Sequence, residues 1–243
     1  MPHSMRLLNL TLPTPAENLA LDEALLDEAE ANPSAGEVLR LWESAAPMVV
    51  IGRSSKIAEE VNLAACAEAG IPVLRRSSGG AAIVAGPGCL MYAVVLSFER
   101  RPELRAIDAA HQFVFGRLAA GLRDLVPDVE FCGTSDLAAA GRKFSGNSLR
   151  VKRNHLLYHG TLLYDFPLDL ISTCLRTPPR QPDYRRHRPH RDFVGNIAAS
   201  GVHLREAVAN AFQATEVKSQ WPRELTAQLA LGRYSRNEWT QSR

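Results

Sequence analysis

The chain has 243 residues, 46% hydrophobic and 22% charged, with 28 Lys and Arg against 26 Asp and Glu and a formal net charge of +2. That length and balance suit one large globular domain, or a domain with a small appendage, and exclude collagenous and wholly disordered classes. No apolar run reaches the ~18 residues of a membrane span, and the longest candidate, Cys89 to Phe98, has the length of a strand.

The chain starts with a polar segment that lacks the apolar stretch of a secretory signal, so a cytoplasmic location is expected. At Thr14-Pro15-Ala16-Glu17, a Thr N-cap, Pro at the first helical position and Glu three residues on predict a capped helix. Val38–Trp42 and Met48–Ile51 read as strands, and a short Ala-rich helix at Leu63–Ala69 is ended by Gly70. A strand at Ile71–Leu74 runs into Arg75-Arg76-Ser77-Ser78-Gly79-Gly80, followed by strands at Ala81–Val84 and Cys89–Phe98 around a Gly86-Pro87-Gly88 turn. A long helix is expected from about Leu104 to Leu125, then strands at Val129–Phe131, Leu137–Ala140, Lys143–Val151 and His155–Tyr164. Leu168–Leu175 reads as a helix, whereas the prolines of Thr177–Arg191 exclude regular structure there. Helices at Leu204–Phe212 and Pro222–Leu231, the latter capped by Gly232, precede a second capping-box pattern at Ser235–Glu238. The irregular alternation of helices and strands predicts an α+β fold with a mixed, largely antiparallel sheet, spanning residues 1–243 as one domain.

Two segments are suited to binding anions. Arg75 to Gly80 follows a strand, and its glycines let backbone N–H groups approach a phosphate or carboxylate beside the arginines; a plain Gly turn with a solvated Arg pair is the competing reading. Lys143, in Gly141-Arg142-Lys143-Phe144-Ser145-Gly146-Asn147-Ser148, can aim an ammonium at a phosphate or developing oxyanion, or can belong to an exposed basic strand. His155 and His159 share one face of a strand, which suits a structural role better than metal binding. The four cysteines, Cys66, Cys89, Cys132 and Cys174, include no C-x-x-C pair, which argues against a zinc ribbon or a thioredoxin-type motif. Cys132 and Cys174 are the candidate acyl nucleophiles, though free cysteines are usually buried apolar residues. Residues 141–191 carry +8 and the rest of the chain −6, a local field that attracts nucleotides or an acidic protein. Few aromatics interleave with these charges, so nucleic acid is not an expected partner.

In their order along the chain, four blocks resemble the lipoate–protein ligase A family of the biotin and lipoate protein ligase superfamily. They are Asn18–Glu23; Val50–Arg53 with Glu60–Asn62; Arg75–Val84; and Ser135-Asp136-Leu137 with Gly141–Arg150 and His159–Leu163. The resemblance implies a fold like the catalytic domain of biotin ligases and class II synthetases. It also implies a two-step reaction: lipoate or octanoate and ATP, with Mg²⁺, give acyl-AMP, and the acyl group passes to a lysine of a lipoyl domain or H protein. Carried over residue by residue, Arg76 with Ser78, Gly79 and Gly80 would hold the acyl-adenylate. Ala81, Ala82, Ile83 and Val84 would line its groove, and Lys143 would be the essential cation. No metal-ligating residue is assigned.

The chain departs from the family pattern at Ala81, Ala85, Met91 and Ser135, and against that pattern its length leads to the expectation of a catalytic domain without the accessory domain of full-length ligases. The resemblance therefore leaves three possibilities: an ATP-dependent ligase, helped or not by a separate accessory subunit; a cysteine-dependent octanoyl or lipoyl transferase; and a non-catalytic module that binds lipoyl domains. Under each, the Arg176–Arg191 segment, with Arg185 and Arg186, is the expected docking surface for an acidic acceptor.

Overall fold

In a computed structural model, which describes residues 5–242, the capping box at Thr14 forms as its sequence requires. The Thr14 hydroxyl accepts from the Glu17 N–H at 3.2 Å, and the Glu17 carboxylate accepts from the Thr14 N–H at 3.0 Å. The first four residues and Arg243 lie outside the described part, so the polar start is a reading of sequence alone.

The strands are β1 (Arg6–Asn9), β2 (Val38–Trp42), β3 (Met48–Ile51), β4 (Val73–Arg75), β5 (Ile83–Ala85) and β6 (Cys89–Ser97). They continue with β7 (Glu130–Cys132), β8 (Asp136–Ala139), β9 (Arg142–Val151), β10 (His155–Leu163) and β11 (Glu216–Val217). The helices are α1 (Pro15–Ala31), α2 (Ile57–Glu60), α3 (Leu63–Glu68), α4 (Ile107–Leu122), α5 (Asp169–Cys174), α6 (His190–Phe193), α7 (Gly201–Ala211), α8 (Arg223–Leu229) and α9 (Asn237–Thr240). Eight strands form one sheet in the order β11-β1-β2-β6-β10-β9-β8-β7, and β4-β3-β5 form a second. Among the described strands, β11-β1, β1-β2 and β3-β4 pair in parallel and the other neighbours antiparallel, so the arrangement is mixed and largely antiparallel, as expected.

Every residue of β6 and β10 is buried, because the large sheet is covered on both faces. Leu21, Leu25 and Leu26 of α1 pack on Ala93, Val95 and Leu157, while Val114 and Leu118 of α4 and Leu204 and Val208 of α7 pack on Val94 and Leu96. A further core joins the small sheet, through Val49, Ile51 and Leu74, to Cys66, Phe166 and Cys174. Among the described residues, no helix is long and apolar enough to cross a membrane.

Several expectations change. The helix expected from Leu104 begins at Ile107, after a separate short turn at Pro102–Arg105, and the strand expected at Ala81–Val84 runs Ile83–Ala85. The proline-rich segment expected to lack regular structure holds short helical turns at Asp183–Arg185 and His190–Phe193. The strand placed at Ile71–Leu74 begins only at Val73, because the two residues after Gly70 close the turn from α3. Gly232 does not cap a helix: α8 runs into a wide turn at Ala230–Tyr234 that contains it. The Ser235–Glu238 capping box does not form, since Arg236 occupies the N-cap with no side-chain bond, yet the final turn docks through other contacts. The edge strands β1 and β11 are short and lack a run of alternating apolar residues, so the pattern did not announce them.

Candidate active site

A cavity of about 850 Å³ opens between three walls: the loop after β4, the β9–β10 ladder and the proline-rich segment 178–185. Its surface is mixed. Leu19, Val50, Ile83 and Met91 supply apolar contact, and Lys56, Arg76, Lys143, Arg180 and Arg185 supply positive charge.

The loop after β4 is held by its two arginines. Arg75 is fully buried and donates to the carbonyls of Gly52, Arg53 and Ser55 on one side and of Trp239 and Thr240 on the other, at 2.7–3.1 Å. Arg76 donates to the carbonyls of Val50, Gly79 and Ala81 and to Ser78 Oγ. Burial pulls the Arg76 pKa down to about 10, with Glu60 opposing the shift. Two glycines permit the loop's closeness to β3: a Cβ on Gly52 would lie 1.9 Å from the Gly80 carbonyl oxygen, and Gly80 itself has φ +84°. Ser78 Oγ lies 2.6 Å from His159 Nε2, and His159 Nδ1 lies 3.5 Å from Asp22, which pairs with buried Arg40 at 2.6 Å. Asp22 and His159 thus anchor the loop to α1 and β10. His155 faces the same helix, 3.2 Å from Glu30, so both histidines meet carboxylates of α1 from one face of β10.

Lys143 sits where β8 and β9 lose register. Leu137 pairs with Ser145 and Ala138 with Lys143, leaving Phe144 without a partner across the ladder. The bulge lets Phe144 enter the core at 1% exposure while Lys143 lines the cavity. Asp136 Oδ1 holds the Lys143 ammonium at 2.7 Å, and Asp136 Oδ2 accepts from the Tyr184 hydroxyl at 2.7 Å. Burial, reinforced by Asp136, raises the Tyr184 phenol and keeps it a donor. Behind Lys143, the Asn147 carboxamide lies over Gly160, where a Cβ would come 1.7 Å from its oxygen, and donates to Ser135 O and Ser145 Oγ.

The structure brings Arg76, Gly80, Ala81, Ala82, Ile83 and Lys143 to one cavity. Ser78 and Gly79 support the loop from behind, Ser78 through His159 and Gly79 by accepting from Arg76 and Ser148. Val84 points into the core at 4% exposure. Cys174 is fully buried in α5 against Cys66, whose thiol is raised to about 11 by burial and by Cys174. Cys132, half-buried at the end of β7, has its thiol raised by burial, Glu130 and Asp136, which opposes a thiolate. Arg186 is exposed, with a left-handed backbone, but Arg185 is only 3% exposed and lines the cavity, so it is a wall residue and not a docking surface. Glu60 accepts from the Ala82 N–H at 2.6 Å and Tyr184 donates to Asp136, contacts for which the sequence carries no local signal.

The profile of the lipoyl protein ligase A/B catalytic domain matches residues 14–221. The chain is 29% identical over 253 residues to octanoyltransferase LipM of Carboxydothermus hydrogenoformans, covering 92% of this chain and 93% of that protein. It is 26% identical over 192 residues to lipoate-protein ligase LplJ of Bacillus subtilis, covering 78% of this chain and 55% of that one. The chain thus spans about half the length of that ligase and nearly all of that transferase. A bipartite lipoate protein ligase with its E2 lipoyl domain from Thermoplasma acidophilum shares the fold at TM-score 0.82 and 24% identity, over 98% of this chain and 96% of that one. A lipoate-protein ligase A bound with ATP also superposes at TM-score 0.82 and 24% identity, over 98% and 99%.

Proposed function

The chain belongs to the lipoyl protein ligase A/B catalytic-domain family, and we propose that it activates lipoate or octanoate with ATP and passes the acyl group to an acceptor lysine. The observation that carries this reading is Lys143, placed by a β-bulge in the wall of a cavity that is apolar on one side and cationic on the other. An acyl chain needs the first surface, and joining its carboxylate to a phosphate needs the second.

The residues present fit a nucleotide: a cavity of this size, with Lys143, Arg76 and Arg185 in its walls, has the volume and the charge for a triphosphate and a medium-length acid together. ATP, accompanied by Mg²⁺, supplies the leaving group that makes the acyl carboxylate reactive. Lys143 bonds carboxylate and phosphate oxygens, lowers the repulsion between the two anions and stabilises charge as it develops. Asp136 fixes the direction of the ammonium, and Tyr184 fixes Asp136. Gly80 and Ala81 of the Arg76 loop line the cavity, and the loop is held there by Ser78 and His159.

The acceptor in this proposal is an acidic lipoyl domain or H protein that docks on the exposed arginines Arg180 and Arg186, with a separate accessory subunit completing the ligase. The fold shared with a bipartite ligase supports the latter. Full-length similarity to an octanoyltransferase favours a second reading, transfer from a thioester donor through Cys132 or Cys174. The test is mass spectrometry of an acceptor lipoyl domain after incubation with free octanoate or lipoate, with and without ATP, and with an octanoyl thioester donor. Modification that requires ATP and persists in a Cys132→Ala, Cys174→Ala double variant supports the ligase. ATP-independent modification lost in that variant supports the transferase. Binding without modification from any donor defeats both.

A further inference from the structure

Arg185 is charged, buried and short of acceptors. Its Nε donates to the Arg188 carbonyl at 2.9 Å and its guanidinium stacks 4.8 Å over Phe193, but Nη2 is buried without a hydrogen-bond partner among the described residues. A guanidinium left this way costs the folded protein free energy unless a ligand supplies what the chain does not.

No carboxylate of the wall supplies it. Asp136 is the nearby acid, and its two oxygens are taken by Lys143 and by the Tyr184 hydroxyl. Arg188 adds a further cation, spending its donors on the carbonyls of Gly141, Tyr184 and Arg185. His190 stands close to the same group: burial first, then the charges of Arg185 and Lys143, holds its imidazole toward the neutral form. Among the described residues the cavity is lined by Lys56, Arg76, Lys143, Arg180 and Arg185 against Glu59, Glu60 and Asp136, so its lining carries surplus positive charge.

We propose that Arg185 and Lys143 form an anion seat, in which the Arg185 guanidinium binds a phosphate or carboxylate group of the substrate. The seat rests on the proposed acyl-activation reading only for the identity of that group. A planar fork suits two oxygens of one anionic group, which a lysine in the same place would not match. The stack on Phe193 and the bond to Arg188 hold the fork in place before the ligand arrives.

The experiment is isothermal titration calorimetry of the full chain with ATP, inorganic pyrophosphate and octanoate, each alone, on wild type, Arg185→Met and Arg185→Lys. Arg185→Met keeps an apolar stem against Phe193, and its melting temperature reports whether the wall stands. If the seat takes phosphate, ATP and pyrophosphate weaken by on the order of 10–100-fold in Arg185→Met while octanoate holds. If it takes the carboxylate, octanoate weakens alone. In either case Arg185→Lys recovers only part of the loss. Unchanged affinity for all three probes in Arg185→Met overturns the proposal. So does equal weakening of all three with a lowered melting temperature, or a wild-type protein that binds none of them. Acyl transfer measured in parallel separates the two readings: selective loss of anion affinity in a protein that modifies no acceptor retires the ligase and leaves the seat standing.

Discussion

The two cationic walls of the cavity use arginine in opposite ways. In the loop after β4, Arg75 and Arg76 are consumed by the backbone: their donors reach carbonyls of the 50–55 segment, the loop itself and the final turn. In the 141–191 region, Arg142 and Arg188 tie down carbonyls too, but Lys143 and Arg185 retain charge directed at the cavity. One wall is a frame whose guanidinium donors are already spent on backbone carbonyls, and the other holds cationic donors that a substrate can meet. A count of arginines does not distinguish them; what distinguishes them is whether each donor already has an acceptor.

That contrast is open to test. The largest effect is expected at Lys143: Lys143→Ala should lower acyl transfer by about 10²–10³-fold with little change in melting temperature, measured by acceptor mass spectrometry and thermal unfolding. Transfer at the wild-type rate would remove Lys143 from the chemistry. Arg75→Met should do the reverse, costing about 3 kcal/mol of stability because five carbonyl contacts lose a buried donor, as read by denaturant unfolding. If that variant unfolds like wild type, the loop is not held by its arginines. Gly52→Ala should cost ~1–3 kcal/mol and raise KM, since the new methyl meets the Gly80 carbonyl. Charge reversal at exposed Arg180 and Arg186 should slow transfer to an acidic acceptor by about 10-fold at low salt and flatten its salt dependence, seen in stopped-flow or initial-rate assays across ionic strength. A rate independent of both residues would move the docking surface elsewhere.

The smallest effect concerns pH. Burial holds the His190 pKa below its usual ~6.5, so the folded state binds fewer protons than the unfolded chain as pH falls through that value. Its contribution is complete above pH ~6.5 and is lost on acidification, so the melting temperature should decline below that point and decline less in His190→Gln. Equal slopes in both proteins would assign the acid sensitivity to other groups.

Much of the fold was legible. β2, β3 and the start of α1 match their patterns to the residue, because short runs rich in apolar residues and a capping box are local signals. The cavity was legible only in pieces. Arg76 and Lys143 stand out in the sequence, but the bulge that aims Lys143 depends on a register between β8 and β9, which is set by partners and not by the strand alone. Arg185 and Arg186 look alike in sequence, yet Arg185 is buried in the cavity wall while Arg186 is exposed at a left-handed backbone position. Cys174 drew notice as a possible nucleophile, and its neighbour Cys66 lies more than a hundred residues earlier, so only the packed α3 and α5 show that the thiol is enclosed.

The clasp of Arg75 on the final turn sets an order of events during synthesis. The carbonyls of Trp239 and Thr240 and the Trp239 indole reach Arg75 across a separation of 164–165 residues. While the chain emerges from the ribosome, the loop that frames the cavity therefore lacks two of its carbonyl acceptors until residues 239 and 240 have been made. A nascent chain arrested short of residue 239 would carry Lys143 and the large sheet, yet leave the Arg75 guanidinium without the acceptors that the final turn supplies.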